Sequence, residues 1–274
     1  AWPSRPTGML HAMLRTPLVV VIASLAGCVS KPSLRVGETI DPTPPISSSR
    51  SRQPALGESV LGAPLEHRSL GRGRLGVLLI GLIHGSEPEG YARFDTLWAG
   101  LNTPEIRRLA TVHAVPTMNP DGHAGQSRYN ARGVDLNRNW PASNFSPSVR
   151  RGSTPLSEPE TRAVHGLIEK IGPDLIIVFH SSHNGPFVDP DGPALAVAAA
   201  FADAASAIDP RWRLVPDYAN PAGSLGTYAG LDRGIPTLTV EFDRNGDPAE
   251  VMEAARAGLS AAIVRASGER AASM

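Results

Sequence analysis

The run Gly76-Val-Leu-Leu-Ile-Gly-Leu-Ile83 contains no side chain able to hydrogen-bond. A strand with no polar alternation has to be covered on both faces, which excludes an open antiparallel sheet with one wet side. Three other segments read as strands: the weaker His113–Met118, the strong Asp174–Phe179 after the Gly172-Pro173 break, and the β-branched Pro236–Phe242. Helical patterns fill the intervals. One helix is expected from Ser157, where Glu160 would complete a capping box and Pro159 stands in the first turn. An Ala-rich helix is expected over about 193–207, and another from Pro248 to about Ala266. Strands alternating with helices predict an α/β fold: a mixed, largely parallel twisted sheet covered by helices on both faces. No internal repeat interrupts this pattern.

The N-terminal part does not share it. After Arg15 comes an apolar run, Leu18–Gly27, and then Cys28. The run is too short for a bilayer span, which needs about 20 residues. Its basic flank and small residues fit a secretory signal. Leu25-Ala-Gly-Cys28 resembles the bacterial lipobox, which implies cleavage before Cys28, lipid on its sulfur, and a lipid-anchored protein of the cell envelope facing the periplasm. Cys28 is the only cysteine, so the chain has no intramolecular disulfide and no cysteine metal cluster. Residues 29–59, rich in Pro, Ser, Arg and Gly, read as a tether. Residues 60–268 read as one folded domain. The 26 basic and 26 acidic residues balance, so the basic excess of a nucleic-acid binder is missing.

In largely parallel sheets, functional groups collect beyond the carboxyl ends of strands. Three expected strands end in such groups: His84-Gly-Ser-Glu87, His180-Ser-Ser-His183, and Glu241. A catalytic zinc takes three His or carboxylate ligands and leaves one position for water. His84, Glu87 and His180 provide that set for one zinc ion, and Glu241 is delivered to the same rim as a candidate general base. Singly, each residue is ordinary. A strand-end His is more often a structural hydrogen-bonding group, HxxE is frequent by chance, and a strand Glu is often salt-bridged. The combination and its order carry the signal.

That combination resembles the M14 zinc carboxypeptidase family, over roughly residues 60–268. Five elements match in order: His84-Gly-Ser-Glu87, Asn119-Pro-Asp-Gly122, the segment Arg128–Trp140, His180-Ser181, and Val240-Glu241-Phe242. The resemblance implies zinc on His84, Glu87 and His180, with Asp135 orienting the first His. It implies Arg128, in preference to Arg132, as the group that stabilises the oxyanion. Asn137 and Arg138 would bind the substrate's terminal carboxylate. Tyr218, in preference to Tyr228, would be the substrate-binding tyrosine. His183 reads as substrate-facing or structural. His67, His113, His123 and His165 show no partner pattern.

The short domain, the Asn130–Pro141 segment and Pro155-Leu-Ser-Glu-Pro-Glu-Thr161 look most like the murein peptide amidase branch. That likeness implies hydrolysis of the γ-D-glutamyl–diaminopimelate bond in cell-wall peptides. Leu225, just after Ser224, argues against a pocket built for a basic side chain. The alternatives are a general metallocarboxypeptidase, a deacylase of acylated amino acids, and a non-catalytic binding protein that keeps the fold. Survival of both metal motifs and Glu241 weighs against the last.

Overall fold

The computed structural model describes residues 55–246 and 248–272. The expected leader, its Cys28 and the tether through residue 54 lie outside the described residues. The folded body begins slightly before the expected boundary. The Leu56 N–H donates to the Leu65 carbonyl at 2.9 Å, and Ser59 Oγ donates to Asp121 Oδ1 at 2.7 Å. At the other end the last helix continues to Ala272.

Seven strands form one sheet: β1 (Arg68–Gly71), β2 (Leu75–Leu82), β3 (Ala110–Thr117), β4 (Leu175–Ser182), β5 (Phe187–Asp191), β6 (Arg213–Leu214) and β7 (Thr237–Asp243). Their spatial order is β1-β3-β2-β4-β7-β5-β6. β3, β2, β4 and β7 run parallel, whereas β1 joins β3 and β5 joins β7 antiparallel. The helices are α1 (Glu89–Ala92), α2 (Phe94–Leu101), α3 (Pro104–Leu109), α4 (Pro120–Ala124), α5 (Pro159–Ile171), α6 (Leu195–Ser206) and α7 (Pro248–Ala272).

The uninterrupted apolar runs resolve into two faces with a period of two. Val77, Leu79, Ile177, Phe179, Val240 and Phe242 enter one core with α2, α6 and α7. Leu78, Ile80, Ile176 and Val178 enter a second core with α5, Leu136 and Trp140. Each side is dry, as a parallel sheet with crossover helices requires.

The expected capping box does not form. α5 starts at Pro159 with Glu158 as its N-cap and no side-chain cap. Glu160 is drawn into the interior instead. Its Oε1 accepts the Val60 N–H at 3.1 Å and its Oε2 accepts Asn130 Nδ2 at 3.2 Å. These long-range partners outcompete the local one. The capping role expected of such a residue is instead filled at α4. There Asn119 Oδ1 accepts the Gly122 N–H at 2.9 Å, with Pro120 in the first turn.

Candidate active site

Strand alternation decides which residues face the site. On β4, His180 shares the face of Ile176 and Val178. On β7, Glu241 lies on the face opposite Val240 and Phe242. The parallel register sets His180 beside Glu241, and the antiparallel register sets Phe187 beside Glu241 on the other side. His180 is therefore inside β4, which continues to Ser182, rather than just past its end.

His84 and Glu87 come from the turn after β2. That turn packs tightly on α4: a methyl group on Gly85 would overlap the Gly122 backbone. Asn119 ties the pieces together by donating to the Ile83 carbonyl at 3.0 Å. The Asn-Pro-Asp-Gly element thus has a physical use as the floor on which the first metal motif rests.

His84, Glu87 and His180 are buried, and one potential ligand atom from each lies within 4.8 Å of the others. His84 Nδ1 and Glu87 Oε1 are 3.0 Å apart, as are His180 Nδ1 and Glu87 Oε2. The two Nδ1 atoms approach to 3.1 Å. Two imidazoles and a carboxylate aimed at one point fit a single zinc ion, whose donor preferences they meet. The field agrees. Burial alone would raise the Glu87 pKa, yet its bonds to His180 and His84 hold it well below the ordinary range. Burial opposes the charged form of His180, and Glu87 overrides it and raises the pKa. An environment that favours positive charge on these atoms favours a divalent cation more.

The supporting groups lie around this point. His84 Nε2 is 2.9 Å from Asp135 Oδ1, which fixes the ring with Nδ1 directed inward. Asp135 Oδ2 accepts Arg128 Nε at 2.9 Å, and Arg128 Nη1 reaches Glu87 Oε1 at 3.0 Å. Burial resists the ionised form of Asp135, while its bond to His84 and the Arg128 charge keep its pKa low. Asn137 Oδ1 accepts the Leu225 N–H at 2.9 Å and its Nδ2 lies 3.1 Å from His180 Nε2. Arg138 donates to the Asn137 carbonyl at 2.7 Å; burial and the nearby Arg128 and Arg151 charges lower its pKa, against Asp135.

His84, Glu87, Arg128, Asn137, Arg138 and His180 line one cavity of about 270 Å³, together with Glu241, Tyr218, Ser224 and Thr239. The Glu241 carboxylate makes no hydrogen bond to another described residue, and burial raises its pKa. Tyr218 is half exposed at the rim, its ring 4.6 Å from that of Phe187. Tyr228 is elsewhere, stacked on Trp140 with its hydroxyl against Glu169 and Arg233. Arg132 also lies outside the cavity, 3.5 Å from Glu158. His183 is exposed and absent from the lining. His67 and His113, which had no partner pattern in the sequence, stack on one another with a 3.0 Å hydrogen bond.

Two acidic lining residues escaped the sequence reading: Asp189 and Asp191, on β5. Leu225, whose place after Ser224 argues against a pocket built for a basic side chain, is fully buried in the second core and does not line the cavity. The polarity of that wall is set by the two acids instead. Burial, chiefly, raises Asp189 to about 6 and Asp191 to about 7. The ordinary value is 3.8, so between about pH 4 and 7 the folded state binds more protons than the unfolded state. Stability from this pair is present at low pH and lost as pH rises. Asp191→Asn should therefore raise Tm by about 5 °C at pH 8, on the order of 2 kcal/mol, and change it little at about pH 4. Melting curves at the two pH values check this; an equal shift at both would reject the linkage.

The model of the zinc carboxypeptidase family, peptidase M14, matches residues 47–188, just over half of the 274. The chain belongs to the zinc carboxypeptidase family. The match takes in His84, Glu87, the 119–140 segment and His180, so the metal-centre geometry and the family agree. Among individual relatives, murein peptide amidase A of Escherichia coli (strain K12) is 36% identical over 141 residues. That alignment covers 45% of this chain and 57% of the relative's own length. The murein peptide amidase A of Vibrio campbellii is 30% identical over 210 residues, 69% of this chain and 78% of that protein. The crystal structure of murein-tripeptide amidase from Escherichia coli O157 superposes with a TM-score of 0.59 at 31% identity. It covers 75% of this chain and 89% of that one. Zinc carboxypeptidase structures thus share the mixed, mostly parallel sheet with helices on both faces.

Proposed function

We propose that this member of the zinc carboxypeptidase family hydrolyses the γ-D-glutamyl–diaminopimelate bond of murein peptides. The observation that carries the reading is one cavity lined by the zinc-binding triad, a carboxylate at Glu241 with no side-chain partner among the described residues, and the pair Asn137 and Arg138. Similarity to murein peptide amidases over most of the folded body supports the choice of substrate.

In this reading His84, Glu87 and His180 hold zinc, and Asp135 fixes the His84 ring. Zinc, when bound, supplies Lewis acidity and makes water an effective nucleophile near neutral pH. Glu241 takes the proton of the attacking water and returns it to the leaving nitrogen. Its half-buried position, free of hydrogen bonds to described residues, keeps that carboxylate available for proton transfer. Arg128 presents a guanidinium to the oxygen that gains charge; its Nη2 has no bond to a described residue. Arg138 and Asn137 hold the free carboxylate, and Tyr218 closes over the bound residue from the rim.

The test is mass spectrometry of products from purified cell-wall tripeptide and from an ordinary peptide with a free C-terminus, each with and without chelator. Release of diaminopimelate from the tripeptide alone is expected. Trimming of the ordinary peptide alone would replace the murein reading with a general carboxypeptidase.

We further propose that the enzyme is anchored by lipid on Cys28 and faces the periplasm. Leu25-Ala-Gly-Cys28, after an apolar run too short to span a membrane, motivates this. Metabolic labelling with palmitate should mark the protein and should be lost in Cys28→Ser; equal labelling of both would reject the anchor.

A further inference from the structure

The turn after β7 carries a cation that the hydrolysis described above does not use. Arg244 stands three residues beyond Glu241. Its backbone N–H donates to the Ser182 carbonyl at 3.3 Å, at the end of β4. Asp243 pins the same turn by accepting the Asn245 N–H at 2.8 Å and Arg211 Nη1 at 3.1 Å. From this fixed base the Arg244 side chain reaches the first metal motif. Nη2 donates to the Ser86 carbonyl at 2.8 Å and lies 3.9 Å from Glu87 Oε1.

The guanidinium is under-satisfied there. Nε is buried and has no hydrogen-bond partner among the described residues, and Nη1 bonds to none of them either. Glu87, the one described carboxylate within 4.0 Å, already serves His84, His180 and Arg128. A buried N–H without an acceptor is costly, and a guanidinium fork is matched by a planar anion. The side chain is 25% exposed, so its fork can be reached from outside.

The position of Arg244 says which part of a substrate could supply that anion. Glu87 and Ser182, the residues beside it, line the active cavity, and Arg244 stands just outside them. Asn137, which with Arg138 takes the carboxylate of the leaving residue, lies 3.1 Å from His180. Arg244 lies beside Glu87, so the metal triad separates the two cationic sites. A substrate whose leaving residue rests on Arg138 and Asn137 extends its acyl side past the triad. A γ-linked glutamyl residue on that side keeps its α-carboxylate free. Three carbons separate this group from the scissile carbonyl, a reach of roughly 5 Å at ordinary bond lengths.

We infer that Arg244 is a specificity-determining residue that binds the free α-carboxylate of the acyl-side residue. The inference rests on the proposed function for the direction in which the substrate lies. It deepens that reading by making the enzyme selective for a carboxylate on each side of the bond it cuts.

The experiment is calorimetric titration of zinc-loaded, full-length Glu241→Gln protein, which should bind peptide without cleaving it. The ligands are L-alanyl-γ-D-glutamyl-meso-diaminopimelate and the same tripeptide with the glutamyl α-carboxylate replaced by a carboxamide. The carboxylate form is expected to bind about tenfold more tightly, the factor of one charge-assisted hydrogen bond. Adding Arg244→Gln should bring the ratio to about one, with zinc content and melting temperature reporting an intact metal cage. An Arg244 that only braced the Ser86 turn would weaken both peptides alike and leave the ratio unchanged. Should Arg244→Gln lose zinc, Arg244→Lys carries the test, because a point charge without the fork should narrow the ratio. Equal affinity for the two peptides, binding of neither, or a ratio that survives these substitutions would overturn the inference. Cleavage of the tripeptide by the wild type, measured alongside, separates the two readings. If the tripeptide is cleaved without this preference, the murein reading stands and the Arg244 site fails. If the preference depends on Arg244 and the tripeptide is not cleaved, the carboxylate site stands and the choice of bond fails.

Discussion

Glu241→Gln should cut kcat about 10³-fold and leave one zinc bound per chain. Glutamine keeps the shape of the side chain and removes its ability to take a proton. Glu241 makes no hydrogen bond to His84, Glu87 or His180, so the metal cage does not depend on it. Neither Asn137 nor Arg138 is bonded to it, so KM should move only a few-fold. The measurements are steady-state kinetics and metal analysis of the same preparation. A variant within tenfold of wild-type kcat would mean that another group receives the proton.

Removing zinc with a chelator should abolish hydrolysis and lower Tm by about 10 °C, with both restored by added zinc. The activity loss follows because no side chain in the cavity replaces the Lewis acid. The stability loss follows from mass action: an ion held at a thousand times its Kd contributes about 4 kcal/mol, and for a domain of this size each kcal/mol shifts Tm by a few degrees. The residues that would feel the loss are His84, Glu87 and His180, whose buried ligand atoms converge within 4.8 Å of one another. Full activity in metal-free protein would sink the mechanism.

The legible part of this molecule was local or repeated along the chain. Runs such as Val77–Leu82 report a strand covered twice, whatever lies above and below it. His84 and Glu87 sit in one turn and could be read together, and Asp135, Asn137 and Arg138 share one short segment. What escaped depended on partners far away in sequence. Phe187-Val-Asp-Pro-Asp191 carries two acids and a proline, and so lacks a strand pattern. It becomes a strand because β7 supplies the other half of its ladder. Glu160 satisfied a local helix-start rule and was claimed by Val60 and Asn130, 100 and 30 residues distant. Leu225 was assigned to the pocket from its place in the order of residues, whereas the start of the helix Gly226–Asp232 directs it into the core. Position along a motif gave the neighbourhood correctly and the direction of the side chain wrongly.

His180, Glu241 and Phe187 occupy a single rung across β4, β7 and β5. Sliding β7 by one residue would present Val240 or Phe242 where a proton acceptor belongs, since alternate residues face opposite ways. The reacting atoms are therefore indexed by counting residues along strands, and a count does not drift gradually. The long connection from 192 to 236 is held in register with the sheet at β6, Arg213–Leu214 beside Phe187 and Val188, and the stretch after it brings Tyr218, Ser224 and Gly226 to the cavity wall. Insertions there can rewrite which substrate fits while the chemistry keeps its place, so the chain divides into a part that evolution can only keep and a part that it can splice.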